Sequence, residues 1–364
     1  MKLLVQPGDG ISALVKGINR AKKSIEIVIF RFDRVEIETA LTDAVSRGVL
    51  VHALIAYTNR GGERNLRRLE MRLLAAGVTV ARTADDLTRY HAKYFIIDRR
   101  ELFLLSFNFT YLDIEKSRSF AVSTGNRRIV QEAAKLFEAD TKRQPYTAGV
   151  STFVVSPANA RKQLGAFIKG AKKQLLIYDP KITDPGMIRA LEERAKAGVE
   201  IRIIGRLTKK SANLEARKIV GMRLHTRTII RDHRHVFIGS QSLRELELDA
   251  RREVGIIFVD KKIAARLTEV FEKDWTRIEE ARKRSANGET IKVGKVAKKV
   301  AKVVAKGLPS VASAVETAIK GTAGAKQRVA LNTARVQATV QDAVKEAVQH
   351  VVEEAMHEEV VEPK

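Results

Sequence analysis

The chain has 364 residues, 45% hydrophobic and 30% charged, enough to bury the cores of two domains and too apolar for global disorder. It has no cysteine, which excludes a disulfide framework, a thiol nucleophile, a cysteine zinc site and an iron–sulfur cluster. The net charge of +24 points to a polyanionic partner or substrate, and 21 of those charges fall within residues 1–284.

The opening MKLLVQPGDG has an apolar run too short for a signal peptide, and no window approaches eighteen uncharged apolar residues, so a cytoplasmic protein is expected. INRAKKSIEIVIF (18–30) reads as a helix end followed by a strand, and FIKGAKKQLLIYD (167–179) repeats that pattern. A helix and strand follow each, in ALTDAVSRGVLVHALI and ALEERAKAGVEIRIIG. Gly48 and Gly198 lie 150 residues apart, as do Lys22 and Lys172, and both stand where a helix C-cap glycine belongs. A second helix and strand are predicted in both halves, NLRRLEMRLLAAGVTV and the shorter NLEARKIVGMRL. This doubled βαβ alternation predicts an α/β fold with buried, largely parallel strands and outer helices. A helix predicted over 127–140 ends near Gln144-Pro145-Tyr146, which divides repeat 1–144 from repeat 145–284.

Each half carries a histidine followed at fixed spacing by a cation and an aspartate. HAKYFIID supplies His91, Lys93 and Asp98; HTRTIIRD supplies His225, Arg227 and Asp232. Positions i and i+2 of a strand face the same way, so each histidine projects together with its cation. The odd spacing of Asp98 and Asp232 turns them to the opposite face, as structural or orienting groups. SFNFT (Ser106, Asn108) and GSQS (Ser240, Ser242) follow. His91 to His225 and Ser106 to Ser240 are both 134 residues, so each repeat offers half of a pseudo-twofold site. Phosphodiester cleavage needs a nucleophile, an acid for the leaving oxygen and positive charge on the nonbridging oxygens. Two histidines flanked by cations supply all three without a metal or cofactor.

H-x-K-x4-D followed by G-S-x-N is the signature of the phospholipase D superfamily, which residues 10–280 resemble through these two blocks. The resemblance implies a duplicated phospholipase D-like α/β sandwich and a phosphohistidine intermediate, with His91 as nucleophile and His225 as general acid. Lys93, Arg227, Asn108, Ser106, Ser240 and Ser242 would hold the phosphate. Arg227 replaces the usual Lys with a fork-shaped donor, and Ser242 replaces the usual Asn. Glu253 fits the acidic position that orients an imidazole; its first-half equivalent is Ser119, which assigns the weaker orienting partner to the His91 side. His233 and His235 read as exposed loop residues rather than metal ligands.

Residues 285–364 are expected to form a helical Ala/Val/Lys-rich extension. Lys292, Lys295, Lys299, Lys302 and Lys306 fall on one helical face, opposite valines. Segment 291–306 is expected to contact anionic membrane peripherally, and the later helices to serve a homo-oligomer. The function expected first is a phosphodiesterase or phosphatidyltransferase acting on phospholipid, similar to soluble cardiolipin synthase-like proteins. The alternatives are a phospholipase D-family nuclease for DNA or RNA, and a noncatalytic phosphate or nucleic-acid binder.

Overall fold

The computed structural model describes residues 1–57, 63–208 and 214–286. Residues 1–279 form one compact unit, and the rest of the chain forms a second. The lysine-faced helix and the proposed oligomer helices lie outside the described residues.

The first repeat runs β1 (Lys2–Gln6), α1 (Ser12–Asn19), β2 (Ser24–Ile29), α2 (Val35–Ser46), β3 (Leu50–Ile55), α3 (Glu63–Ala75), β4 (Thr79–Arg82), β5 (Arg89–Tyr90), β6 (Tyr94–Ile97), β7 (Glu101–Leu105), α4 (Tyr111–Glu115), β8 (Ser117–Thr124) and α5 (Arg127–Lys142). The second runs β9 (Phe153–Val155), α6 (Ala160–Lys169), β10 (Gln174–Ile182), α7 (Pro185–Lys196), β11 (Glu200–Leu207), β12 (Glu215–Arg217), β13 (Arg223–Leu224), β14 (Arg227–Arg231), β15 (His235–Gly239), α8 (Glu245–Asp249), β16 (Arg251–Arg252), β17 (Val254–Val259) and α9 (Lys261–Ala286). Gly48 and Gly198 follow α2 and α7 with φ of 81° and 85°, a conformation that a Cβ disfavours.

Each repeat builds one mixed sheet, in the orders β1-β8-β7-β6-β2-β3-β4 and β12-β11-β10-β14-β15-β17-β9. The parallel pairs β2·β3, β3·β4, β10·β11 and β11·β12 are the βαβ portions. The remaining pairs along both orders are antiparallel, which corrects the expectation of largely parallel strands. The reason is connection length: three residues between β6 and β7, or between β14 and β15, can close a hairpin but cannot carry a crossover. The helix expected in NLEARKIVGMRL is replaced by β12, which adds parallel to β11. Ala216, Val220 and Leu224 fall at helical spacing, but the β-branched pair Ile219-Val220 followed directly by Gly221 opposes a helix there.

Strand alternation sorts the side chains into three cores. Ile25, Ile27 and Ile29 pack with α1, α2 and α3; Leu175 and Ile177 pack with α6 and α7. Leu176 and Tyr178 face the other way, into a central core shared by both sheets, α5 and α9. There Phe120 meets Tyr178 edge-on at 5.4 Å, joining the repeats through aromatic contact. Two short parallel pairs stitch the halves together as well: β5 with β16, and β13 with β8. Among the described residues no helix is long and apolar enough to cross a membrane.

Candidate active site

The stitches deliver the histidines. His91 follows β5, and its N–H donates to the Arg252 carbonyl at 2.8 Å. His225 follows β13, and its N–H donates to the Arg118 carbonyl at 3.1 Å. Both histidines precede the strands expected to carry them, β6 and β14, so each hangs from the opposite repeat rather than from its own sheet.

His91 and Lys93 are buried, and Lys93 Nζ lies 2.8 Å from both ring nitrogens of His91. Nδ1 of His91 lies 2.8 Å from Glu253 Oε2, a carboxylate from the other repeat. The ring edge of Phe30 closes one side at 4.6 Å. Burial pushes the His91 pKa well below its ordinary value, and the charges of Lys93 and Arg227 push the same way. A neutral ring that donates Nδ1–H to Glu253 presents its lone pair on Nε2. Burial also lowers the Lys93 pKa, against the pull of Glu253, and raises that of Glu253.

Glu253 therefore serves the His91 side, and the deficit left by Ser119 falls on His225. Ser119 Oγ donates to the Asp113 carbonyl at 2.8 Å. The carboxylate near His225 is instead that of Asp113, from α4, with Oδ2 3.3 Å from His225 Nδ1. Burial drives the His225 pKa well down, with Asp113 opposing. Burial would raise Asp113, but His225, Arg223 and Asn108 outweigh it and hold its pKa at about 2. Arg223 forms an ion pair with Asp113. Lys93 lies within electrostatic reach of Glu253, Arg227, Asp113 and Glu247, so the two halves meet around one centre.

A pKa held below its unfolded value adds stability above the unfolded pKa, and that stability is lost as pH falls toward the folded one. Asp113 should thus contribute about 2 kcal/mol at neutral pH, fading between about pH 4 and about pH 2. Denaturant titrations across that range should show a smaller acid loss in Asp113→Asn, which at neutral pH should be less stable by a similar amount.

The expected phosphate ligands separate into two groups. Ser106 Oγ donates to the Phe120 carbonyl at 2.8 Å, and Ser240 Oγ stands 3.3 Å from the Val254 carbonyl and within hydrogen-bonding reach of the Glu253 carboxylate. Ser242 Oγ binds Asp179 Oδ1 and its main-chain N–H donates to Glu247. Each of these three hydroxyls thus has an acceptor within the protein, and a hydroxyl donates only one proton. Asn108 Nδ2 donates to Asp113 at 2.6 Å with one of its two hydrogens. Arg227 Nη1 donates to the His225 carbonyl at 2.7 Å, and its Nη2 stands 3.8 Å from Glu247. Asp98 and Asp232 lie away from this centre. Asp98 accepts from the N–H groups of Lys22, Lys23 and Ser24, and Asp232 from those of Lys172, Lys173 and Gln174.

Asp113 and Glu247 escaped the sequence reading. They stand 134 residues apart, the offset of the histidines, and each accepts the N–H of Asn108 or Ser242. The shared offset was the available signal.

The family described as "Cardiolipin synthase, PLD-like domain" matches residues 14–141 and 164–275, two blocks that coincide with the repeats. The chain belongs to this phospholipase D-like family. A polyphosphate kinase of Pseudomonas syringae pv. tomato is 25% identical over 303 residues, covering 74% of this chain and 41% of that protein. A polyphosphate kinase of Vibrio vulnificus is 26% identical over 289 residues, 71% of this chain and 41% of that one. The chain thus spans about two fifths of the length of these relatives. The crystal structure of polyphosphate kinase from Porphyromonas gingivalis shares the fold with a TM-score of 0.63 and 22% identity, over 74% of this chain and 49% of that chain. Phosphatidylserine synthase of Haemophilus influenzae does so with a TM-score of 0.55 and 10% identity, over 73% and 83%.

Proposed function

We propose that this phospholipase D-like chain is a phosphodiesterase or transferase that works through a phosphohistidine on His91. The observation that carries the reading is the bond from His91 Nδ1 to Glu253 across the repeats, which leaves Nε2 as the nucleophilic atom. Nε2 attacks phosphorus and forms the N–P bond as the P–O bond to the leaving group breaks. His225 gives its proton to the departing oxygen. Water or a second alcohol then attacks phosphorus, forming a P–O bond as the N–P bond breaks and frees His91, and gives its proton to His225. Lys93, Arg227 and the second Asn108 amide hydrogen meet the nonbridging oxygens. Burial opposes protonation of His225 and Asp113 favours it. The negative charge of an entering diester adds to that of Asp113 and favours the protonated acid.

Phospholipid is the substrate we assign first. Helices α4 and α8 turn Asp113 and Glu247 into the site and expose Tyr111 (52%), Leu112 (40%) and Leu246 (37%) outward, an apolar rim suited to a lipid surface. A second reading, transfer to or from an anionic chain such as polyphosphate or a nucleic acid, is favoured by the charge of residues 1–284 and by the polyphosphate kinase relatives.

The test is to incubate the protein separately with labelled phosphatidylglycerol vesicles, single-stranded DNA and polyphosphate, quench in alkali and locate acid-labile label by mass spectrometry. Label on His91 from the vesicles is the expected result. Label only from DNA or polyphosphate transfers the assignment to the second reading, and absence of label from all three overturns the mechanism.

A further inference from the structure

The main-chain acceptors of the two histidines belong to arginines, and both arginines are themselves tied down. Arg252 reaches Asp140 of α5 through Nε at 3.1 Å and Nη2 at 3.0 Å, while Nη1 donates to the Ser156 carbonyl. Its guanidinium also lies over the Tyr90 and Tyr146 rings, at 5.6 and 5.9 Å. Arg118 holds Asp274 of α9 through Nε at 2.7 Å and Nη2 at 2.9 Å, and Nη1 donates to the Gln6 carbonyl. Tyr178 Oη gives Asp274 a further hydrogen bond at 2.7 Å. Arg118 and Arg252 are 134 residues apart, and so are Asp140 and Asp274. In both pairs the carboxylate and the arginine come from opposite repeats.

We propose that Asp140 and Asp274 are positioning residues, each setting one histidine of the pair through the main chain of a clamped arginine. This rests on the two-histidine reading above. Asp140 acts on the nucleophile, because Arg252 accepts the His91 N–H and the next residue is Glu253, the partner of the His91 ring. Asp274 acts on the acid. The Arg118 carbonyl accepts N–H groups from both His225 and Thr226 at 3.1 Å, and the next residue, Ser119, bonds the main chain of Asp113 beside His225. All four clamp side chains are buried. A buried ion pair adds little net stability over an apolar pair of the same volume, whereas a guanidinium bound to a carboxylate through two nitrogens fixes direction. The clamps are retained on both sides although Glu253 has no acidic counterpart at position 119.

The test uses the full chain and two phosphodiesters that differ only in the leaving group, one an alkyl alcohol and the other 4-nitrophenol. A nitrophenolate departs without an acid; an alkoxide does not. His225→Ala serves as the reference for a lost acid. Asp274→Asn is expected to lose about tenfold or more on the alkyl diester and to stay within about twofold of wild type on the nitrophenyl diester. Asp140→Asn is expected to lose about tenfold on both and to label His91 correspondingly slowly. For Asp274→Asn the comparison is internal, since a partly folded preparation lowers both rates alike; for Asp140→Asn the single-turnover rate constant of His91 labelling is read, which the folded fraction does not change. Should Asp274→Asn fail to fold, Tyr178→Phe removes one donor from the same carboxylate and should show the same selective loss in milder form. For Asp140, Arg252→Lys keeps the charge without the fork and should lose activity on both diesters. Wild-type rates in these variants, or a loss in Asp274→Asn equal on both diesters, overturn the clamps while the mechanism stands. Absence of phosphohistidine in the wild type overturns the mechanism, and the clamps' role with it.

Discussion

Exchange of His91 for alanine is expected to abolish turnover of every phosphodiester, a loss of about 10⁴-fold or more, and to leave no acid-labile label on the protein. No other group at the centre can take its place. Lys93 lies against the ring, but with Glu253 as counter-charge and Arg227 nearby it is placed to hold a phosphate oxygen. Glu253→Gln should come next, at about 10³-fold or more, because an amide in place of the carboxylate no longer fixes which ring nitrogen carries the proton. The two differ in their residue: Glu253→Gln still forms phosphohistidine slowly, and His91→Ala forms none. Single-turnover labelling with a nitrophenyl diester distinguishes them, since that substrate removes the demand on His225. Equal rates in Glu253→Gln and wild type would mean that the His91–Glu253 bond plays no part in the chemistry.

Gly205→Ala is expected to be the most destabilising exchange of a single small residue, at about 3 kcal/mol or more by chemical denaturation. Gly205 lies on β11 with φ of 152°, opposite the point where β10 breaks its register between Asp179 and Ile182. A Cβ there would stand 1.7 Å from the Asp179 carbonyl oxygen and 2.8 Å from its carbon, both main-chain atoms that no rotamer change can move. The consequence reaches the site. Asp179 accepts the N–H of Leu243 at 2.7 Å and of Lys181 at 2.9 Å, and binds Ser242, so displacing it shifts the loop that bonds Glu247. Gly198→Ala is the control. Its φ is 85° and open space surrounds its would-be Cβ, so a cost of about 1 kcal/mol and wild-type activity are expected.

The duplication, the βαβ units and the two histidine blocks were legible because they are local: each is a spacing along the chain, and the common offset of 134 related them to each other. Strand direction was not. An apolar β-branched run has the same composition whether its neighbour runs with it or against it, and only connection length, as in the three-residue turns after β6 and β14, distinguishes the cases. Ser106, Ser240 and Ser242 show a second limit. A serine beside a motif reads as a phosphate donor, yet whether its one proton is already given to a carbonyl or a carboxylate depends on strands far away in sequence. The exchange of partners across the repeats was the least legible feature. Position 253 matched an orienting acid in sequence, but assigning it to His91 rather than to His225 requires the pairing of β5 with β16.

That pairing bears on how the enzyme comes into being. His91 leaves the ribosome 162 residues before Glu253, so the nascent first half displays the proposed nucleophile with no Glu253 carboxylate beside it and no second imidazole opposite. On the proposed mechanism, reactivity arises only when synthesis has passed residue 253 and the halves have docked. A truncated translation product would therefore be inert toward cellular phosphodiesters, and two separately expressed halves would recover function only on reassociation.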